Sequence, residues 1–332
     1  MTDSQITFYL GRIPDPDRVL LLDPVRDWDV FGTGVYAWIV LTYIRLRDAG
    51  YPVRCSASVP DQGIVVLHPR QIASFLREEP ALHRLVIVVA RADKAPQPLA
   101  DFEIVQNRAS SDGRRHFHVP HWPQPGLIAR DPARGARVET VCFKGVQTNL
   151  HPEFRSEAWP TELARRGVRF RMDSIRYPQP EEVSGAKPWP DFAEVDVQLA
   201  IRPISRDLLR KPASKLQNSW LAGVPGIFGP EPAYRDLRRS PLDYLEVRSA
   251  AEALEALDRL RADPMLFRAM VENGTERAIE VSWERTTERW AELLFDTVPS
   301  LSRSTSSRLR RRLPFTGRRV VHHLRASRVE GL

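Results

Sequence analysis

The sequence predicts an α/β protein with two doubly wound, Rossmann-like domains facing a cleft. In both halves of the chain short β-branched and aliphatic runs alternate with helical patterns, the order that builds parallel sheets covered by helices on both faces. A stretch dense in Pro and Gly and poor in periodicity, HVPHWPQPGLIARDPARGAR at 118–137, separates the halves. The 332 residues provide for two domains of about 150 each.

In the first half, strands are expected at 6–10, 53–58, 63–67, 85–90 and 102–105. A helix is expected over 35–49, because it lies between Gly34 and Gly50, and a shorter one over 71–77. In the second half, strands are expected at 138–143, 168–172, 195–201, 224–228 and 244–247, with helices at 153–165, 214–222, 233–238 and 250–261. Leu254, Leu257 and Leu260 form an apolar stripe on the last of these. Helices over 265–280 and 283–295 close the body, with Trp283 and Trp290 seven apart on one face as core. The expected division is a first domain at 1–120, a linker at 121–137, a second domain at 138–300 and a basic tail at 301–332.

Charge narrows the function classes. The net charge of +7 belongs to the tail, where nine arginines face one acid, Glu330. Positions 1–300 hold 40 basic and 41 acidic residues, a net of −1, so the body lacks the basic face of a nucleic-acid binder. Two cysteines, Cys55 and Cys142, make neither a disulfide framework nor a zinc finger, and fit a reduced cytoplasm. No apolar run reaches the roughly 20 residues of a membrane span, and MTDSQITFYLGR does not read as a signal peptide.

Ligands of open parallel sheets bind beyond the carboxyl ends of the strands. That rule selects Lys144 and Gly145, Arg202, and Glu231, each following an expected strand. Lys211, Ser214 and Lys215 precede the helix at 214–222, with Ser214 as its expected N-cap. The helix end and these cations suit a diphosphate; a solvated helix cap is the bland alternative. His68 ends a strand and is a candidate for contact with a reacting sugar, although a lone His there is more often structural.

The segment KPASKLQNSWLAGVPGIFGPEPAYRDL at 211–237 resembles the donor-binding segment of the GT-B glycosyltransferases, especially the family-4-like retaining enzymes. Pro212, Ser214, Lys215 and Leu216 match its Pro-Ser-Lys-aliphatic pattern, Ala222 and Gly223 the helix end, and Val224 and Pro225 the strand start. Residues 244–294 resemble the closing part of that domain, and FGTGVYAWIVLTYIRLRDAGYPV at 31–53 resembles the GT-B opening. The resemblance implies donor contacts at Lys144, Gly145, Lys211, Ser214, Leu216, Asn218 and Glu231, and catalytic roles for Arg202, Lys215 and His68. It places the acceptor near Trp28, Gly32, Thr33, Gly34 and His121. One departure stands out: Asn218 and Arg210 occupy positions where the family carries glutamates, so the ribose would meet an amide without a carboxylate's charge.

Metal ligation is not expected. The Asp-x-Asp pairs at 15–17 and 27–29 fall in a Pro-rich stretch, and His116, His118 and His121 read as strand and linker. The implied activity is metal-independent transfer of a sugar from a nucleotide-activated donor, without further cofactor, to a saccharide or lipid-linked acceptor in bacterial surface polysaccharide or glycolipid synthesis. The alternatives are a non-catalytic nucleotide- or sugar-binding protein of the same fold and a nucleotide-sugar epimerase. The tail, in which Leu309, Leu313, Phe315, Val320, Val321 and Leu324 interleave the arginines, is expected to attach the protein to an anionic membrane surface on the cytoplasmic side. Pro314 and Gly317 argue against one continuous helix there.

Overall fold

A computed structural model describes residues 5–32, 34–175 and 189–330. The chain divides into two compact units, one drawn from Met1–Val119 and Thr286–Leu332, the other from Pro120–Arg285.

The first unit holds a six-stranded, wholly parallel sheet of β1 (Ile6–Tyr9), β2 (Val53–Ser56), β3 (Gly63–Leu67), β4 (Leu85–Ala92), β5 (Phe102–Val105) and β6 (His116–His118). Their order is β2-β1-β3-β4-β5-β6, so the winding reverses between β1 and β3. β1, β3, β4 and β5 are buried almost throughout, which explains their continuous apolar runs. The first helix opens at Gly34, widens into a π-turn over Tyr36–Val40 and continues as Leu41–Asp48.

The second unit holds a five-stranded parallel sheet of β7 (Thr140–Val146), β8 (Arg169–Ile175), β9 (Val197–Ala200), β10 (Gly226–Phe228) and β11 (Leu245–Glu246). The order β11-β10-β9-β7-β8 puts its reversal between β7 and β9. Val141, Phe143, Val197, Leu199 and Ile227 of the sheet share one core with Leu257 and Leu260 of the helix Ala250–Ala262. Both units are therefore the doubly wound, Rossmann-like domains the alternation predicted.

Three boundaries differ from expectation. The stretch expected as a linker packs into the second unit: Ile128 bridges to Asp191, and Arg130 binds the buried Asp196 at 2.7 and 3.0 Å. Residues 286–300, expected with the second domain, group with the first unit, where Trp290 is buried against Trp38. The tail is ordered as helices Thr305–Arg311 and Phe315–Glu330, interrupted at Pro314, while Gly317 is accommodated within the second helix.

Arginine chemistry accounts for that order. Arg318 is fully buried, donating to Leu99 O at 2.8 Å and to Asp101 Oδ1 at 3.3 Å. Arg310 donates to Pro98 O and Ala100 O at 2.7 and 2.9 Å. Charge-assisted bonds to these carbonyls fix the tail on the first unit. Arg303, Arg308, Arg312 and Arg319 remain exposed, with Leu309 and Val320. Among the described residues, no helix is long and apolar enough to cross a membrane.

Candidate functional site

The second unit gathers its chemistry at the β7/β9 reversal. β9 ends at Ala200, so Arg202 lies just beyond it, as the strand-end rule requires. Its guanidinium is buried and pairs with the carboxylate of Glu231, which follows β10 and precedes the short helix Pro232–Leu237. Tyr234, one turn into that helix, brings its hydroxyl beside the pair. Arg202 Nε, Glu231 Oε1 and Tyr234 Oη are all buried, and among the described residues none has a partner that meets hydrogen-bond geometry. Three unsatisfied polar atoms at one point are costly to a folded chain, and a polar ligand or water would satisfy them.

Lys215 faces the same group from the second position of the helix Ser214–Ala222. It is half-buried, and its ammonium makes no hydrogen bond or ion pair among the described residues. Its Nζ stands 5.5 Å from the centre of the Phe143 ring and 3.1 Å from where a Cβ on Gly145 would be. Gly145, at φ +140°, thus leaves that approach open. Burial, with the neighbouring Arg202 and Lys211 charges, pulls the Lys215 pKa down to about 7, against the opposing pull of Glu231. The charge of a bound anion would offset that depression.

Of the other expected donor contacts, Lys144 lies elsewhere. β7 runs on to Val146, so Lys144 lies within the strand and not past its end. Alternation turns it to the face opposite Phe143 and Gly145, where its Nζ binds Asp173 Oδ2 at 2.5 Å and Asp191 O at 2.6 Å. Ala213, not Ser214, is the N-cap residue; Ser214 is the first helical residue and no side-chain cap forms. Leu216 is buried in a core with Phe228, Tyr234 and Tyr244, so it supports the site from beneath. Asn218 is half-buried one turn after Ser214, and Lys211 is half-buried before the helix. Tyr234 and the Phe143 ring escaped the sequence reading; an aromatic one turn after a strand-end Glu was the available signal.

In the first unit, His68 is buried just past β3. It caps the turn Pro69–Gln71: its Nδ1 accepts from Arg70 N–H at 3.2 Å, and Gln71 Oε1 accepts from its own N–H at 2.9 Å. Burial, then the charges of Arg70 and Lys94, push its pKa down to about 4, so the ring is neutral at pH 7 and its proton rests on Nε2. A Cβ on Gly34 would meet that Nε2 at 2.8 Å and Cε1 at 2.9 Å. Trp28 is half-buried and Gly32 exposed in the turn Trp28–Gly32, and Thr33 lies outside the described residues. His121 belongs to the second unit, its Nδ1 2.8 Å from Trp122 O.

Gly34→Ala is expected to lower stability by about 1–3 kcal/mol, because overpacking outweighs the roughly 1 kcal/mol that alanine gains in a helix. The capped ring cannot swing aside, so His68→Ala should restore stability in the double variant. Urea unfolding of the two single variants and the double variant checks this.

Among the described residues, no three His, Cys, Asp or Glu side chains group as a metal site. No family model matches the chain, and no curated protein matches it in sequence. Solved structures do. Sucrose-phosphate synthase from Thermosynechococcus elongatus is similar at TM-score 0.54 and 12% identity, over 90% of this chain and 100% of that one. AviGT4, a glycosyltransferase involved in avilamycin A biosynthesis, is similar at TM-score 0.54 and 14% identity, over 89% and 98%. HepE from Anabaena, in complex with UDP and glucose, is similar at TM-score 0.51 and 12% identity, over 88% and 99%. At these identities the likeness is one of fold: the chain has the GT-B-like architecture of two Rossmann-like units.

Proposed function

We propose that this chain is a metal-independent glycosyltransferase, family-4-like, that binds a nucleotide-activated sugar on its second unit. The observation that carries this is Lys215, whose ammonium makes no hydrogen bond or ion pair among the described residues, at the β7/β9 reversal beside the buried polar atoms of Arg202, Glu231 and Tyr234. The similar HepE structure holds UDP and glucose, which supports a nucleoside diphosphate as the anion recognised. In the proposed reaction the bond between the sugar's anomeric carbon and the diphosphate oxygen breaks, an acceptor hydroxyl oxygen bonds that carbon, and its proton passes to the departing diphosphate. Lys215 and Lys211 stabilise the charge growing on the departing diphosphate, while Arg202, held by Glu231, orients it. His68 cannot take a proton through Nε2, which already carries one, so its proposed role on the acceptor side is to donate a hydrogen bond.

Asn218 favours a second reading, a nucleotide-binding protein without transfer activity, because the position lacks a carboxylate. A thermal-shift panel of UDP, GDP, ADP and their sugar conjugates separates the two. The enzyme reading predicts stabilisation by one nucleotide series, then release of that nucleoside diphosphate when acceptors are added. Binding with no release supports the second reading, and no binding removes both.

The proposed location is the cytoplasmic face of an anionic membrane, where a lipid-linked acceptor would be met. The exposed Arg303, Arg308, Arg312 and Arg319 supply the attraction, roughly 1 kcal/mol each near such a surface. Truncation at residue 300 would expose Asp101 together with losing the charges, so charge-reversed variants of these four are the cleaner comparison. Anionic vesicles at low salt should sediment the wild type and leave the fourfold Arg→Glu variant in solution. Equal sedimentation would exclude the tail from attachment.

A further inference from the structure

The reversal of the first sheet, between β1 and β3, is where an open parallel sheet takes a ligand, and cations stand there too. Arg12 follows β1 and is exposed; its Nη1 donates to Arg70 O at 3.2 Å. Arg70 is itself exposed, two residues past His68, beyond β3. Lys94 follows β4, the next strand, with the Asp93 carboxylate 3.9 Å from its ammonium. The neutral His68 ring lies among them with its Nε2 proton toward Gly34.

The backbone at Arg12 is the telling feature. Its φ is +75°, a left-handed conformation that favours glycine and is strained for other residues. The hydrogen bond to Arg70 O is the only one its side chain makes among the described residues, and the side chain packs in no core. The chain holds a guanidinium at this point on a strained backbone, with one hydrogen bond, to Arg70 O, among the described residues.

We propose that Arg12, Arg70 and Lys94 form a phosphate-binding subsite on the first unit, and that the acceptor carries a phosphate group. Forked guanidinium donors match phosphate oxygens, and Lys94 adds a point charge. The naming of the ligand as acceptor rests on the glycosyltransferase reading; the anion site does not. Two sources of the phosphate, a phosphorylated sugar or a lipid phosphate, share this chemistry.

Calorimetric titration of the full chain distinguishes them. The probes are glucose 6-phosphate against glucose, and dihexanoyl phosphatidic acid against dihexanoylglycerol. One phosphorylated probe should bind about tenfold or more tighter than its neutral counterpart, and which one identifies the source. Arg12→Gly should weaken that probe about tenfold while leaving the melting temperature equal or higher, since glycine relieves the backbone. Arg84→Ala, an exposed site just before β4 at the opposite end of the sheet, should change neither. UDP affinity should be the same in the wild type and Arg12→Gly. Phosphate binding without UDP binding would remove the glycosyltransferase reading and leave the subsite. Equal or absent binding of phosphorylated and neutral probes, or no effect of Arg12→Gly on binding, would overturn the subsite. A lower melting temperature for Arg12→Gly would also overturn it, because the side chain would then be structural.

Discussion

Lys215→Ala is expected to weaken nucleoside diphosphate binding by about 10- to 100-fold, the equivalent of a charge-assisted hydrogen bond of roughly 1.5–3 kcal/mol. The fold should survive, because the ammonium makes no hydrogen bond among the described residues and is crowded by Arg202 and Lys211. The pKa of about 7 adds a pH signature. A diphosphate favours the protonated amine, so binding takes up a proton, and affinity falls as pH rises above 7, by up to about tenfold per unit. Lys215→Arg should bind with a flat profile, since a guanidinium stays charged over that range. Calorimetry at pH 6.5, 7.5 and 8.5 in buffers of different ionisation enthalpy measures both quantities. Unchanged affinity in Lys215→Ala would remove the residue from the site.

Arg202→Ala should have the largest effect on stability, about 3–5 kcal/mol, because it leaves the buried Glu231 without its counter-ion. Burial already raises the Glu231 pKa, and losing Arg202 raises it further. A carboxyl whose folded pKa exceeds its unfolded value loses stability as pH rises above the unfolded value, so the defect should be greater at pH 8 than at pH 5. Arg202→Leu/Glu231→Leu should recover much of the loss. Urea unfolding at the two pH values decides it; a loss under about 1 kcal/mol would mean that the pair is solvated. Binding data for Arg202→Ala alone therefore mix affinity with folding, which makes Lys215 the better probe of the site.

The two sheets were legible because their central strands are buried on both faces and read as continuous apolar runs, as in GIVVL at β3. Strand ends were less legible, and the expected position of Lys144 past a strand end went with them. Lys144 was chosen because β7 was expected to stop at Phe143; three further residues put it inside the strand and on the wrong face. Arg202 and Glu231 do lie just past their strands, because β9 and β10 end close to where their apolar runs end. Their mutual pairing was not visible, since 29 positions separate them. Arg12 went unnoticed for a different reason: a positive φ at a non-glycine residue leaves no mark in composition or periodicity. The tail misled through charge, because sequence does not distinguish an arginine that binds buried carbonyls, such as Arg318, from one that meets solvent, such as Arg319.

The central claim, that the nucleotide is held on the second unit at the start of the helix Ser214–Ala222, is tested most directly by hydrogen–deuterium exchange of the full chain with and without UDP. The account predicts slower exchange confined to 144–146, 202–218 and 229–234, with 10–13 and 66–71 unchanged. Protection concentrated in 10–13 and 66–71, with the helix start unaffected, would contradict it.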